Sequence, residues 1–202
     1  MATLLQIDSS PVGEHSISRC LTREFVTQWR CANPEGRVIS RDLTTLVIPA
    51  VTSAWVTAND APEKSRTADQ KDLLWLSSAF ARELLDADEY VMGVPVHNWG
   101  PPAVFKLWVD HTVTPRGPKL DGKRATFVIT AGNCYGPGPG IVAENCLEPW
   151  LRTLFGGLGV TDMHFHSVDE TVETKSGKID RADFLRPRAA AIQALLAEAL
   201  CL

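Results

Sequence analysis

"EYVMGVPVHNWGPPAVFKLWVDH", residues 89–111, runs from an apolar segment through a tight polar loop into a stretch with helical spacing. Tyr90-Val91-Met92-Gly93-Val94 does not alternate with polar residues, as expected of a parallel strand covered on both faces. Pro95 follows this run, and Pro101-Pro102 can open the next helix, because proline is tolerated in a first helical turn. The residues between are confined to a short loop at a strand-to-helix junction.

A second unbroken run, Ala125-Thr126-Phe127-Val128-Ile129, repeats the pattern. Working outward, short apolar runs bounded by turn residues lie at 3–7, 37–43, 89–94, 125–130 and 162–168. Helical spacing fills the stretches between them. It predicts one helix over 18–31 with Leu21, Phe25 and Val26 inward, and one over 69–85 with Leu73, Leu76, Phe80 and Leu84 inward. A last helix over 182–200 should bury Leu185, Ile192, Leu195 and Leu196. Residues 44–66 read as a long irregular connection. This alternation predicts an α/β, flavodoxin-like fold: a doubly wound five-stranded parallel sheet in order 2-1-3-4-5 with helices on both faces.

Length and composition set limits. The 202 residues suit a single domain spanning 1–202. A formal charge of −4 offers no basic patch for nucleic acid. No segment approaches the roughly 20 apolar residues of a membrane span, and "MATLLQIDSS" reads as a strand entering a polar turn rather than an export signal. Five widely spaced cysteines without a C-x-x-C pair argue against a disulfide framework or a zinc site, and point to a cytoplasmic protein.

In such a sheet the loops after strands one, three and four converge on one crevice. The first, "SSPVGEHSIS" at residues 9–18, supplies Ser9, Ser10, Ser16 and Ser18, with Gly13 closing the turn just before a helix. Helix-start amides with hydroxyls make an anion site without any lysine. Equally, Ser16 is the ordinary residue for a helix cap and the other serines are ordinary turn residues. Neither G-x-G-x-x-G nor G-x-x-x-x-G-K-[ST] occurs, which disfavours a separate dinucleotide or triphosphate site and suits a monophosphate. In the third-strand loop, His97 and Trp99 can wall a flat ring while Asn98 bonds its polar edge, although a Trp and a His beside prolines also serve plain packing. The fourth-strand loop, "TAGNCYGPGPG", lets the backbone approach a ligand and aim N–H groups at it, or forms a flexible turn. A phosphate site, a flat-ring loop and an amide-lined loop at one sheet edge describe a site for FMN.

Over nearly its whole length the chain resembles the FMN-dependent NADH:quinone oxidoreductase and azoreductase family. The S-x-S that opens a helix in that family matches Ser16, Ile17 and Ser18, which with Ser10 would bind the phosphate of a noncovalent FMN. The family's Pro-Met-Tyr-Asn-Phe loop, with its later proline and Leu-Lys-x-aromatic-x-Asp helix, stands here as Pro95-Val96-His97-Asn98-Trp99, Pro102, Phe105-Lys106, Trp108 and Asp110. Val96 and His97 thus replace the usual Met and Tyr beside the ring. The family's Ser-Arg-Gly-Gly loop aligns with Ala131, Gly132, Asn133 and Cys134, without its arginine. The segment between Asp110 and Gly122 is shorter than usual and lacks the family's Phe-x-Tyr.

The resemblance implies an enzyme in which NADH or NADPH reduces FMN by hydride transfer and a flat acceptor, a quinone or an azo compound, then takes two electrons in the same place. One pocket used in turn implies ping-pong kinetics. His97 would orient the acceptor or supply a proton, since an imidazole titrates near neutral pH. The family also implies a homodimer whose interface completes the pocket. The alternative is a flavodoxin-like electron carrier or flavin-binding module without turnover. His164 and His166 share one side of a strand but lack an acid or cysteine cluster, so no metal site is expected.

Overall fold

The computed structural model describes residues 1–114, 117–133 and 145–200, except for the side chains of residues 195 and 197–200. Its sheet comprises β1 (Thr3–Asp8), β2 (Arg37–Asp42), β3 (Glu89–Pro95), β4 (Arg124–Thr130) and β5 (Asp162–Val168). All four pairings are parallel and the order is β2-β1-β3-β4-β5, as the alternation predicts. The helices are α1 (Ile17–Ala32), α2 (Ser53–Asp60), α3 (Ala68–Leu73), α4 (Trp75–Asp86), α5 (Ala103–Thr112), α6 (Leu147–Gly157), α7 (Val172–Lys175) and α8 (Arg181–Leu200).

Two apolar layers sandwich the sheet. On one face Leu5, Ile7, Tyr90, Met92, Phe127 and Ile129 pack with Phe80 and Leu84 of α4, Phe105 and Trp108 of α5, and Phe155 of α6. On the other, Leu4, Val91 and Val128 meet Leu21, Phe25 and Trp29 of α1 and Phe184 and Ile192 of α8. Covering both faces is what makes the central strands continuously apolar.

The predicted helix over 69–85 is two helices. The chain breaks at Leu74 (φ −91°, ψ 0°), which turns Leu74 inward against Trp55 and Ala58 and leaves Leu73 exposed, contrary to the simple periodicity. Residues 44–66 are not irregular either. Thr52 accepts a hydrogen bond from the Trp55 amide and caps α2. A buried relay fixes that helix: the Trp55 indole N–H donates to Ser77 Oγ (3.1 Å), which shares a hydrogen bond with His111 Nδ1 (2.8 Å). On the far side of the ring, His111 Nε2–H donates to the Pro49 carbonyl (2.8 Å). In α8, Phe184 joins Ile192 and Leu196 in the core, Leu185 is partly buried, and Leu195 lies outside the described side chains. Among the described residues no helix is long and apolar enough to cross a membrane.

Candidate active site

The carboxyl ends of β1, β3, β4 and β5 are sewn together by backbone and hydroxyl bonds. Ser9 donates both its amide (3.2 Å) and its Oγ (2.8 Å) to the Gly93 carbonyl, joining the first loop to β3. Val96 N–H donates to Thr130 O (2.8 Å), and Ala131 N–H to Val168 O (2.9 Å). The Ala131 carbonyl accepts from both the amide (3.0 Å) and the hydroxyl (2.9 Å) of Thr171. Four loops therefore hold a fixed relation at one sheet edge.

The first loop turns at Gly13 (φ 64°), a left-handed conformation that favours glycine. Ser16 then caps α1, accepting from the Arg19 amide (3.3 Å), while its Oγ lies 3.0 Å from Ser18 Oγ. Ser10, Ser16 and Ser18 are all buried. Arg19 grips the loop from outside: its Nε and Nη2 donate to the Ser10 carbonyl (3.1 and 2.7 Å) and its guanidinium is bidentate to Asp42 (2.6 and 2.7 Å). That bond to Asp42 raises the guanidinium's already high pKa. Despite the opposing effect of partial burial, Asp42 is held below the usual carboxylate range by Arg19 and Thr44. Beneath the loop, burial pushes the Asp8 carboxyl up, against the stabilising bond from Thr22 Oγ1 (2.8 Å).

The third-strand loop is a miniature hairpin. His97 and Gly100 exchange two backbone bonds (2.8 and 3.0 Å), and the two residues between, Asn98 (φ 50°) and Trp99 (φ 62°), both have positive φ. That is the dihedral signature of a mirror-image two-residue turn, in which asparagine is common and tryptophan is not. The Trp99 ring is 60% exposed and the His97 side chain is exposed. Pro102 occupies the cap position of α5.

Three clefts meet at this hairpin. One of about 240 Å³ is lined by Ser10, Ser16, Ile17, Val96, His97 and Gly132. Another of about 270 Å³ touches Val96, Trp99 and Ala131, and a third of about 550 Å³ holds His97, Asn98 and Trp99 opposite Trp150. The structure thus brings most of the expected residues together. Ser18 is not among the residues that line the first cleft, its Oγ meeting the Ser16 hydroxyl instead, and Asn133 is exposed. Cys134 lies outside the described residues.

The first cleft also carries residues that were not singled out from the sequence, a lysine among them. Lys175 lines it, together with His15, Thr171 and Thr174. Their signal was the polar run after the fifth strand, which the same strand-end rule would have sent to this crevice.

Neither paired histidine faces a donor cluster. His164 Nε2 meets Asp162 Oδ1 at 2.8 Å, and the described residues contain no group of three potential metal ligands.

A family model for the flavodoxin-like fold matches residues 2–194. An FMN-dependent NADH:quinone oxidoreductase 3 of Burkholderia lata is 53% identical, covering 98% of this chain and all of the relative. The chain belongs to the FMN-dependent NADH:quinone oxidoreductase family. Another member, from Acidobacterium capsulatum, is 43% identical over 93% of this chain and 95% of its own length. Among solved structures, an FMN-dependent NADH-azoreductase from Bacillus anthracis in complex with FMN superposes with a TM-score of 0.82, covering 98% of this chain and 99% of that one. At 17% identity that likeness speaks for the fold alone.

Proposed function

We propose that this protein is an FMN-dependent NAD(P)H oxidoreductase that reduces quinones or azo compounds in ping-pong fashion. The observation that carries the reading is the cleft at the start of α1. Buried hydroxyls from Ser10 and Ser16 meet the helix's free amides there, and no carboxylate is among the described residues that line it. That donor set fits the phosphate of FMN, and the named relatives, one of them 53% identical over nearly the whole chain, support the cofactor.

In this reading Ser10, Ser16 and the Ile17 amide bind the phosphate, and Ser18 orients the Ser16 hydroxyl. Val96, His97, Asn98 and Trp99 border the ring on one side, and residues 131–134 on the other. FMN, when bound, supplies the two-electron chemistry, taking a hydride from the nicotinamide nucleotide and passing electrons to the acceptor. The protein's task is placement: the hairpin walls offer a flat surface, while loop amides favour negative charge on the ring. His97, exposed on the hairpin, orients the acceptor or hands over a proton. The working unit is a homodimer of single-domain, cytoplasmic chains, with the partner completing the pocket above the ring.

Anaerobic mixing of the FMN-loaded protein with NADH or NADPH, followed by benzoquinone or an azo compound, tests the proposal. Bleaching and reoxidation of the flavin in one two-electron step are expected. No bleaching by either nucleotide refutes the enzyme and leaves a flavin-binding carrier.

A further inference from the structure

FMN's phosphate is a dianion at neutral pH, and hydroxyls with helix-start amides neutralise only part of that charge. The cation nearest in sequence is Arg19, but it is committed elsewhere. Both carboxylate oxygens of Asp42 and the Ser10 carbonyl occupy its guanidinium, and Arg19 is not among the residues that line the cleft.

The opposite wall supplies another cation. Thr171 is tied twice to the Ala131 carbonyl, and Val172 N–H donates to Gly132 O (3.2 Å), so the short helix α7 is pinned against the end of β4. This anchoring brings Lys175 to the cleft wall beside Thr174. The Lys175 side chain makes no ion pair or hydrogen bond with any described residue. The carboxylate nearest it in sequence, Glu173, pairs instead with Lys178 (3.4 Å). Glu14, next to His15 in the first loop, pairs with Arg23. The cleft therefore combines buried hydroxyls with an uncommitted ammonium.

Resting on the FMN reading above, we propose that Lys175 is the phosphate's counter-charge and makes the protein select FMN over riboflavin. The ammonium pairs with the phosphate across the cleft from Ser10 and Ser16. An isoalloxazine lacking the phosphate gains nothing from it. A flexible lysine on an exposed helix acts as a point charge rather than a geometric fork, so arginine should substitute for it in part.

The test is a fluorescence-quenching titration of apoprotein with FMN and with riboflavin, using wild type, Lys175→Gln and Lys175→Arg at low and moderate salt. Lys175→Gln should weaken FMN about tenfold while riboflavin affinity stays within about twofold. Its FMN affinity should also lose part of its salt dependence, and Lys175→Arg should restore most of the binding. Equal FMN affinity in wild type and Lys175→Gln, or equal weakening of both flavins, overturns the role of Lys175 and leaves the cofactor assignment standing. Wild type that binds neither flavin overturns both.

Discussion

Gly93 sits in the middle of the sheet under the first loop, and replacing it with alanine should couple stability to cofactor retention. A Cβ at this position would lie 2.9 Å from Asp8 Oδ1, 3.2 Å from Thr22 Cγ2 and 3.4 Å from Ser18 Cβ. The first distance is shorter than real contacts allow, and the carboxylate cannot simply swing away, because Thr22 and Gln6 donate to it at 2.8 and 3.0 Å. Overpacking of this kind costs about 1–3 kcal/mol. Against it, alanine restricts the unfolded chain and returns about 0.4–1 kcal/mol. The net loss is about 1–2 kcal/mol, or roughly 2–8 °C in Tm for a chain of this length. Urea denaturation should show the loss in Gly93→Ala and none in Gly157→Ala, where an added Cβ meets nothing within 4 Å. Because Ser18 is pushed as well, FMN titration of Gly93→Ala should show weaker binding. Gly93→Ala as stable as wild type, or Gly157→Ala equally destabilised, would refute the steric reasoning.

Three further outcomes are expected. Replacing Ser16 and Ser18 together by alanine removes donors from the anion site and a helix cap. FMN affinity should fall roughly tenfold or more, and stability by about 1 kcal/mol, as measured by flavin titration and urea melts. Trp99→Gly relieves a left-handed backbone position by about 1 kcal/mol while deleting a wall of the ring site, so calorimetry should show a higher Tm and titration weaker flavin binding. Burial, helped by the charge of Arg188, lowers the His166 pKa below its ordinary 6.5. The unfolded chain then takes the proton first as pH falls, so stability is full above about 6.5 and declines toward the folded value. His166→Gln should lose less stability than wild type between about pH 7.5 and about pH 5 in urea melts.

What the sequence revealed depended on how local each signal was. β3 and β4 stood out because strands buried on both faces need no partner information to look continuously apolar. The break at Leu74 had no such marker, since no glycine or proline lies between Ala68 and Asp86. It arises where Leu74 turns toward Trp55 of α2, a contact only the tertiary fold supplies. α2 itself was legible in principle, from Thr52 three residues before Trp55, but the surrounding prolines and polar residues masked it. At the candidate site, spacing alone was enough to send the serines and the 95–99 loop to one sheet edge, where they line neighbouring clefts. Lys175 had only the coarser signal of lying in the polar run after the fifth strand, because a lysine on a short exposed helix resembles any solvated lysine until β5 is placed beside β4.

The twofold bond from Thr171 to Ala131 also implies, if the phosphate binds as proposed, an order of assembly. Ser10 and Ser16 leave the ribosome early, yet the opposite wall of their cleft is made of residues more than 150 positions later. A nascent chain cannot enclose a phosphate until β5 has paired with β4 and the segment behind it has docked. With the phosphate in this cleft, cofactor capture would be a late event, coupled to docking of β5 and α7. Free FMN would then favour that final step by mass action, and chains made in flavin shortage would lack its stabilisation of the wall formed by Thr171, Thr174 and Lys175.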